Sequence, residues 1–74
     1  MEKVRISTEY ITLGQFLKLC NAVDGGGEAK VVISEGLVSV NGEVDTRRGR
    51  KLYENDVVAY NGDTYQVVRW ELII

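Results

Sequence analysis

The chain has no histidine, no proline and a single cysteine, and no apolar run in it approaches the length of a membrane span. Without histidine the commonest general acid–base is missing, and Cys20 has no imidazole to activate it as a nucleophile. One thiol cannot form an internal disulfide, and no second thiol or histidine can complete a metal site around it. The carboxylates are scattered, with no spacing that marks a catalytic pair. These absences argue against an enzyme, a metal site or a bound cofactor. A bilayer span needs about 20 apolar residues, and Met1-Glu2-Lys3-Val4-Arg5 has no apolar stretch behind it to act as a signal peptide. A cytoplasmic protein is therefore expected. With no proline, low-complexity tract or linker-like stretch, residues 1–74 are expected to form one domain.

The 74 residues are 45% hydrophobic and 27% charged, ordinary globular values. Val4 and Ile6 alternate with Lys3, Arg5 and Ser7, which predicts a strand. Thr12 with Gln15 forms a capping-box pattern. Leu13, Phe16, Leu17 and Cys20 then follow at helical spacing, predicting a helix that runs to Ala22 or Val23 with Cys20 in the core. Asp24-Gly25-Gly26-Gly27 breaks it. A second helix is predicted over Glu28 to Glu35, burying Ala29, Val32 and Ile33, with Gly36 as its left-handed cap.

The rest of the chain has strand periodicity. Leu37 to Val40 and Glu43 to Thr46 are strands joined at Asn41-Gly42, the strongest two-residue hairpin signal. A turn at Tyr53 to Asp56 leads to a strand at Val57 to Tyr60. A second hairpin at Asn61-Gly62-Asp63 leads to a final strand, Thr64 to Trp70, with Arg69 near its end. The apolar tail Leu72-Ile73-Ile74 has three open roles: pairing with the first strand, covering the core, or a dimer contact. The expectation is an α+β fold in which two N-terminal helices pack on a small, mostly antiparallel sheet. Phe16 and Trp70 fall in apolar patterns, whereas Tyr10, Tyr53, Tyr60 and Tyr65 are ambiguous.

Two segments carry the functional signal. The formal charge is −2, unusual for a nucleic-acid binder. Yet Arg47, Arg48, Arg50 and Lys51 lie within five residues. Screening acts over about 8 Å, so such a spot can hold a polyanion on an otherwise acidic protein. Arginine forks match phosphate oxygens, and a solvated loop is the alternative. The triple glycine opens the second helix. Either it aims backbone N–H groups at an anion, or it is a tight turn that needs positive φ. Lys18 and Lys30 could extend the basic patch.

Leu13-Gly14-Gln15-Phe16-Leu17-Lys18, Gly27-Glu28-Ala29-Lys30, Glu35-Gly36-Leu37-Val38-Ser39-Val40-Asn41-Gly42 and Asn55-Asp56-Val57-Val58 together resemble the RNA-binding domain of ribosomal small-subunit protein four (the alpha-L RNA-binding motif). Thr46-Arg47-Arg48-Gly49-Arg50-Lys51-Leu52 is similar to the short stand-alone bacterial YaaA/YbcJ group. The shared core is about residues 12–58, and the terminal strands are additions. The resemblance implies non-catalytic binding of structured RNA, ribosomal or transfer RNA; a monomer is expected because exposed apolar patches are rare. The implied contacts are Gly26, Gly27, Lys30, Arg47, Arg48, Arg50 and Lys51, with Lys18 beside them. Gly25-Gly26 replaces the family's usual Ser-Arg pair, which shifts the burden of binding to the Arg47–Lys51 cluster. A protein-interaction module, on the ribosome or elsewhere, and DNA binding are the alternatives.

Overall fold

The computed structural model describes residues 1–69. Its elements are β1 (Glu2–Ile6), β2 (Ile11–Thr12), α1 (Leu13–Leu19), α2 (Gly26–Ser34), β3 (Val38–Val40), β4 (Glu43–Val44), β5 (Lys51–Leu52), β6 (Val57–Tyr60) and β7 (Asp63–Arg69). Five strands form one sheet in the order β1-β7-β6-β3-β4, and β2 and β5 form a separate two-stranded ladder. Among the described residues every pairing is antiparallel except β1 with β7, which run parallel with Val4 opposite Val67. The two helices and mostly antiparallel sheet are the expected architecture.

The core follows from periodicity. Leu13, Phe16 and Leu17 of α1 and Ala29, Val32 and Ile33 of α2 are buried together with Val38, Val40, Leu52, Val58 and Val67 of the strands. Phe16 meets Tyr65 of β7 edge-to-face at 6.5 Å, an arrangement favoured by the ring quadrupoles. Truncating Phe16 to alanine would cost about 3–5 kcal/mol.

Left-handed backbone closes both helices and forms the turns at Asn41-Gly42, Asn55 and Asn61-Gly62. All four asparagines, Asn21, Asn41, Asn55 and Asn61, have positive φ, as do Gly36, Gly42 and Gly62. Asn41-Gly42 and Asn61-Gly62 are the expected hairpin turns, with positive φ at both central positions. Both helices end alike. Asn21 and Gly36 take the left-handed position, and the amides after them reach back to Leu17 O (3.0 Å) and Val32 O (3.1 Å). That closure satisfies carbonyls that the helix leaves open.

Several details depart from expectation. α1 stops at Leu19 rather than Ala22 or Val23, because Asn21 turns left-handed. Thr12 is the N-cap residue, but its side chain makes no capping bond; the first amides of α1 are satisfied from a distant loop instead. α2 begins at Gly26, two residues early. None of the three glycines has positive φ, Gly25 being fully extended, so the tight-turn reading fails. Cys20 is half-buried at the edge of the core rather than inside it, and burial raises its thiol pKa. The ladder of β2 with β5 is two residues long on each side, too short to leave a periodic signal. Trp70 and the tail Leu72-Ile73-Ile74 lie outside the described residues.

Candidate nucleic-acid interface

The loop between β4 and β5 is built around one carboxylate. The Asp45 side chain is only 5% exposed, and Asp45 N–H donates to Val38 O at 3.1 Å, fixing it beside β3. Its Oδ1 accepts the Arg47 backbone N–H (2.9 Å) and Arg47 Nε (3.1 Å). Its Oδ2 accepts Arg47 Nη2 and Arg50 Nη1, both at 2.8 Å. An aspartate that bonds the amide two residues on is a turn-forming device. The Arg47 guanidinium, helped by Arg50 and the Arg47 amide, holds the Asp45 carboxyl well below the usual carboxylate range, overriding the opposing effect of burial. Asp45 in turn raises the Arg47 guanidinium above its ordinary value.

This folded loop then docks on α1. Leu13 N–H donates to Arg50 O at 2.8 Å and Gly14 N–H to Arg48 O at 3.0 Å. Two amides that a helix start would otherwise leave without partners are thereby satisfied by the basic loop itself. The adjoining ladder, Ile11 opposite Leu52 and Thr12 opposite Lys51, extends the same seam.

Docking places Arg48 across the first turn of α1. Gly14 is buried, and a β-carbon built there would lie 2.7 Å from Arg48 Cγ. Only glycine lets the Arg48 chain lie this close. A cleft of about 320 Å³ results, with Gly14, Gln15 and Lys18 of α1, Gly26 and Ala29 of α2, and Arg48 and Gly49 of the loop around it. Lys18 Nζ would sit 3.8 Å from a β-carbon on Gly26, so the lysine head reaches the start of α2. The Gly26 and Gly27 amides have no carbonyl partner among the described residues. The Glu28 carboxylate turns back to accept Asp24 N–H at 2.7 Å.

The expected residues thus divide. The structure brings together Lys18, Gly26 and Arg48 around the cleft, with Gly27 one residue into α2. Arg47 and Arg50 are engaged by Asp45, although the Arg47 side chain remains 70% exposed. Lys51 lies over the Tyr10 ring, 4.8 Å from its centroid. Lys30 is exposed on α2 and does not line the cleft. Sequence reasoning missed Asp45 and Gly14. Asp45 was legible as an acidic residue two positions before the first arginine, the spacing of a self-bonding turn. Gly14 carried no local signal, since its partner is 34 residues away.

The family model described as S4 domain matches residues 4–68. The chain is 56% identical over 66 residues to the Bacillus subtilis (strain 168) protein named "Probable ribosome maturation protein RlbA", covering 88% of this chain and 93% of that one. The solution structure of YbcJ from E. coli, described as revealing an alpha-L motif involved in RNA binding, matches with a TM-score of 0.71 and 33% identity, over 92% of this chain and 87% of that one. The 30S ribosomal protein S4e from Thermoplasma acidophilum matches with a TM-score of 0.62 and 26% identity, over 81% of this chain and 32% of that one.

Proposed function

Because the chain belongs to the S4 domain family, we propose that it binds structured RNA, ribosomal RNA first among the possibilities, in the cytoplasm and without catalysis, residues 1–74 acting as one binding unit. The observation that carries this reading is the convergence of Lys18, Arg48 and the bare start of α2 on one cleft. Two cations and the positive end of a helix dipole suit a backbone phosphate. The names of the relatives agree: one is called a ribosome maturation protein and one carries a motif involved in RNA binding.

Lys18 and Arg48 hold the phosphate nearest the cleft. Arg47, Arg50 and Lys51 extend the positive surface along the loop, and Lys30, Gly26 and Gly27 extend it along α2. Asp45 restrains Arg47 and Arg50 rather than silencing them: of five guanidinium donors each, Arg47 spends two on the carboxylate and Arg50 one. Phosphate contacts supply affinity, and the shape of the RNA supplies selectivity.

Fluorescence anisotropy with a labelled ribosomal RNA fragment tests this. Lys18→Ala and Arg48→Ala are each expected to weaken binding about tenfold, some 1.4 kcal/mol, with thermal stability unchanged. Wild-type affinity in both variants would remove the cleft from the interface. Stronger competition by duplex DNA than by RNA at equal salt would move the reading to DNA.

A further inference from the structure

The cleft at Lys18 and Arg48 leaves the aromatic surface beside it without a role. Tyr10 and Tyr53 are 38% and 46% exposed. Their ring centroids lie 6.0 Å apart, tilted by 48°. The β2–β5 ladder sets this pairing: Tyr10 precedes Ile11, Tyr53 follows Leu52, and Ile11 and Leu52 are register partners. Lys51, from the same ladder, holds its ammonium 4.8 Å from the Tyr10 centroid. Neither ring belongs to the buried core, so both are available at the surface.

An open groove of about 840 Å³ has Tyr10, Ile11, Gln15, Lys18 and Leu19 in its lining, with Glu9 among them. Gln15 and Lys18 also line the cleft, so the two depressions share that border. The groove is graded in charge. Lys18 stands at the cleft end, and Glu9 lies beside Tyr10 at the other. A backbone phosphate would be repelled near Glu9. A nucleobase is neutral and flat, has faces that stack on an aromatic ring, and carries amino groups that a carboxylate can accept.

We propose that this groove receives one unpaired nucleotide of the bound RNA, its phosphate at Lys18 and its base against Tyr10. The proposal rests on the RNA reading above and adds to it a substrate class: structured RNA with a single-stranded end, bulge or loop next to the helix held in the cleft. Tyr53 buttresses Tyr10 from its neighbouring strand. Lys51 supplies a cation close to the stacked base or the next phosphate.

The test compares a blunt RNA duplex with the same duplex carrying a short oligoadenosine extension at one end or the other, and with the same extensions made abasic, all by anisotropy at one salt concentration. One of the adenosine extensions is expected to tighten binding about 5- to 100-fold, and its abasic counterpart to give no gain. Tyr10→Phe keeps the gain, whereas Tyr10→Leu loses it and still binds the blunt duplex as wild type does. Equal affinity of the wild type for blunt and extended duplexes overturns the platform, as does a gain that survives removal of the bases. Those two results need only wild-type protein, so they stand even if Tyr10→Leu fails to fold. Absence of binding to every RNA, blunt or extended, instead overturns the RNA reading on which the platform depends.

Discussion

Gly14 and Asp45 set the loop's geometry, and neither contributes a positive charge. A methyl group at Gly14 would occupy the space that Arg48 Cγ now fills, while alanine is the better helix former by about 1 kcal/mol. The clash outweighs the propensity gain, since overpacking a buried position costs about 1–3 kcal/mol. Gly14→Ala is expected to lower the melting temperature and to weaken RNA binding as much as Arg48→Ala does. The double variant Gly14→Ala/Arg48→Ala should bind no more weakly than Arg48→Ala alone, because the arginine is what Gly14 accommodates. Melting curves and anisotropy on the three variants check this.

Asp45 acts on stability through its charge. Its carboxyl is held well below the usual range by Arg47 and Arg50. A depressed carboxylate stabilises the fold above its unfolded-state value, about pH 4, and that contribution fades as pH falls further toward the folded-state value. Asp45→Asn is therefore expected to cost about 1–3 kcal/mol at pH 7, with the gap from wild type narrowing steadily between pH 4 and pH 2. Urea unfolding across that pH range measures it. A gap independent of pH would show that the carboxylate charge contributes nothing.

At the scale of elements, asparagine terminates or turns the chain at four places, and the four are not equivalent. Asn61 occupies the first central position of its hairpin with φ 53°. Asn41 has the same backbone at φ 52°, but its side chain also donates to Asp56 Oδ1 at 3.0 Å and accepts Val57 N–H at 2.9 Å, joining the β3–β4 turn to β6. Asn61→Gly should thus be neutral within about 0.5 kcal/mol, since glycine takes positive φ freely. Asn41→Gly should cost about 1–2 kcal/mol by losing two hydrogen bonds. Chemical denaturation of both variants distinguishes a purely conformational asparagine from one that also fastens two elements together. α1 teaches a related lesson. Its N-terminus fits the capping-box pattern of Thr12 and Gln15, yet Thr12 makes no side-chain capping bond, and carbonyls of the β4–β5 loop take the Leu13 and Gly14 amides.

The molecule as a whole carries a formal charge of −2, so its attraction for RNA must be local. Four to six cationic contacts give a log–log salt dependence of binding with a slope of about 3–5. Removing Lys18 and Arg48 together is expected to lower that slope by about 2. Removing Arg47 and Arg50 should lower it less and reduce stability more, because Asp45 neutralises part of their charge and then loses both partners. Titrations at several salt concentrations, paired with melting curves, separate the two pairs. A slope near zero in the wild type would leave no place for phosphate contacts.

The order of the helices and of every strand but β2 and β5, both hairpin turns, the buried faces of α1 and α2 and the basic character of the 47–51 segment were legible in the linear chain. Each rests on spacing over a few residues or on the intrinsic freedom of asparagine and glycine. Which arginine faces the cleft was not legible. Arg47, Arg48 and Arg50 are chemically alike along the chain; the buried carboxylate of Asp45 and the missing side chain of Gly14 tell them apart. The parallel pairing of β1 with β7 and the Tyr10–Tyr53 pair across β2 and β5 likewise arise from segments more than 40 residues apart. Local preference carries no information about such partners, so only the packing of the whole chain selects them.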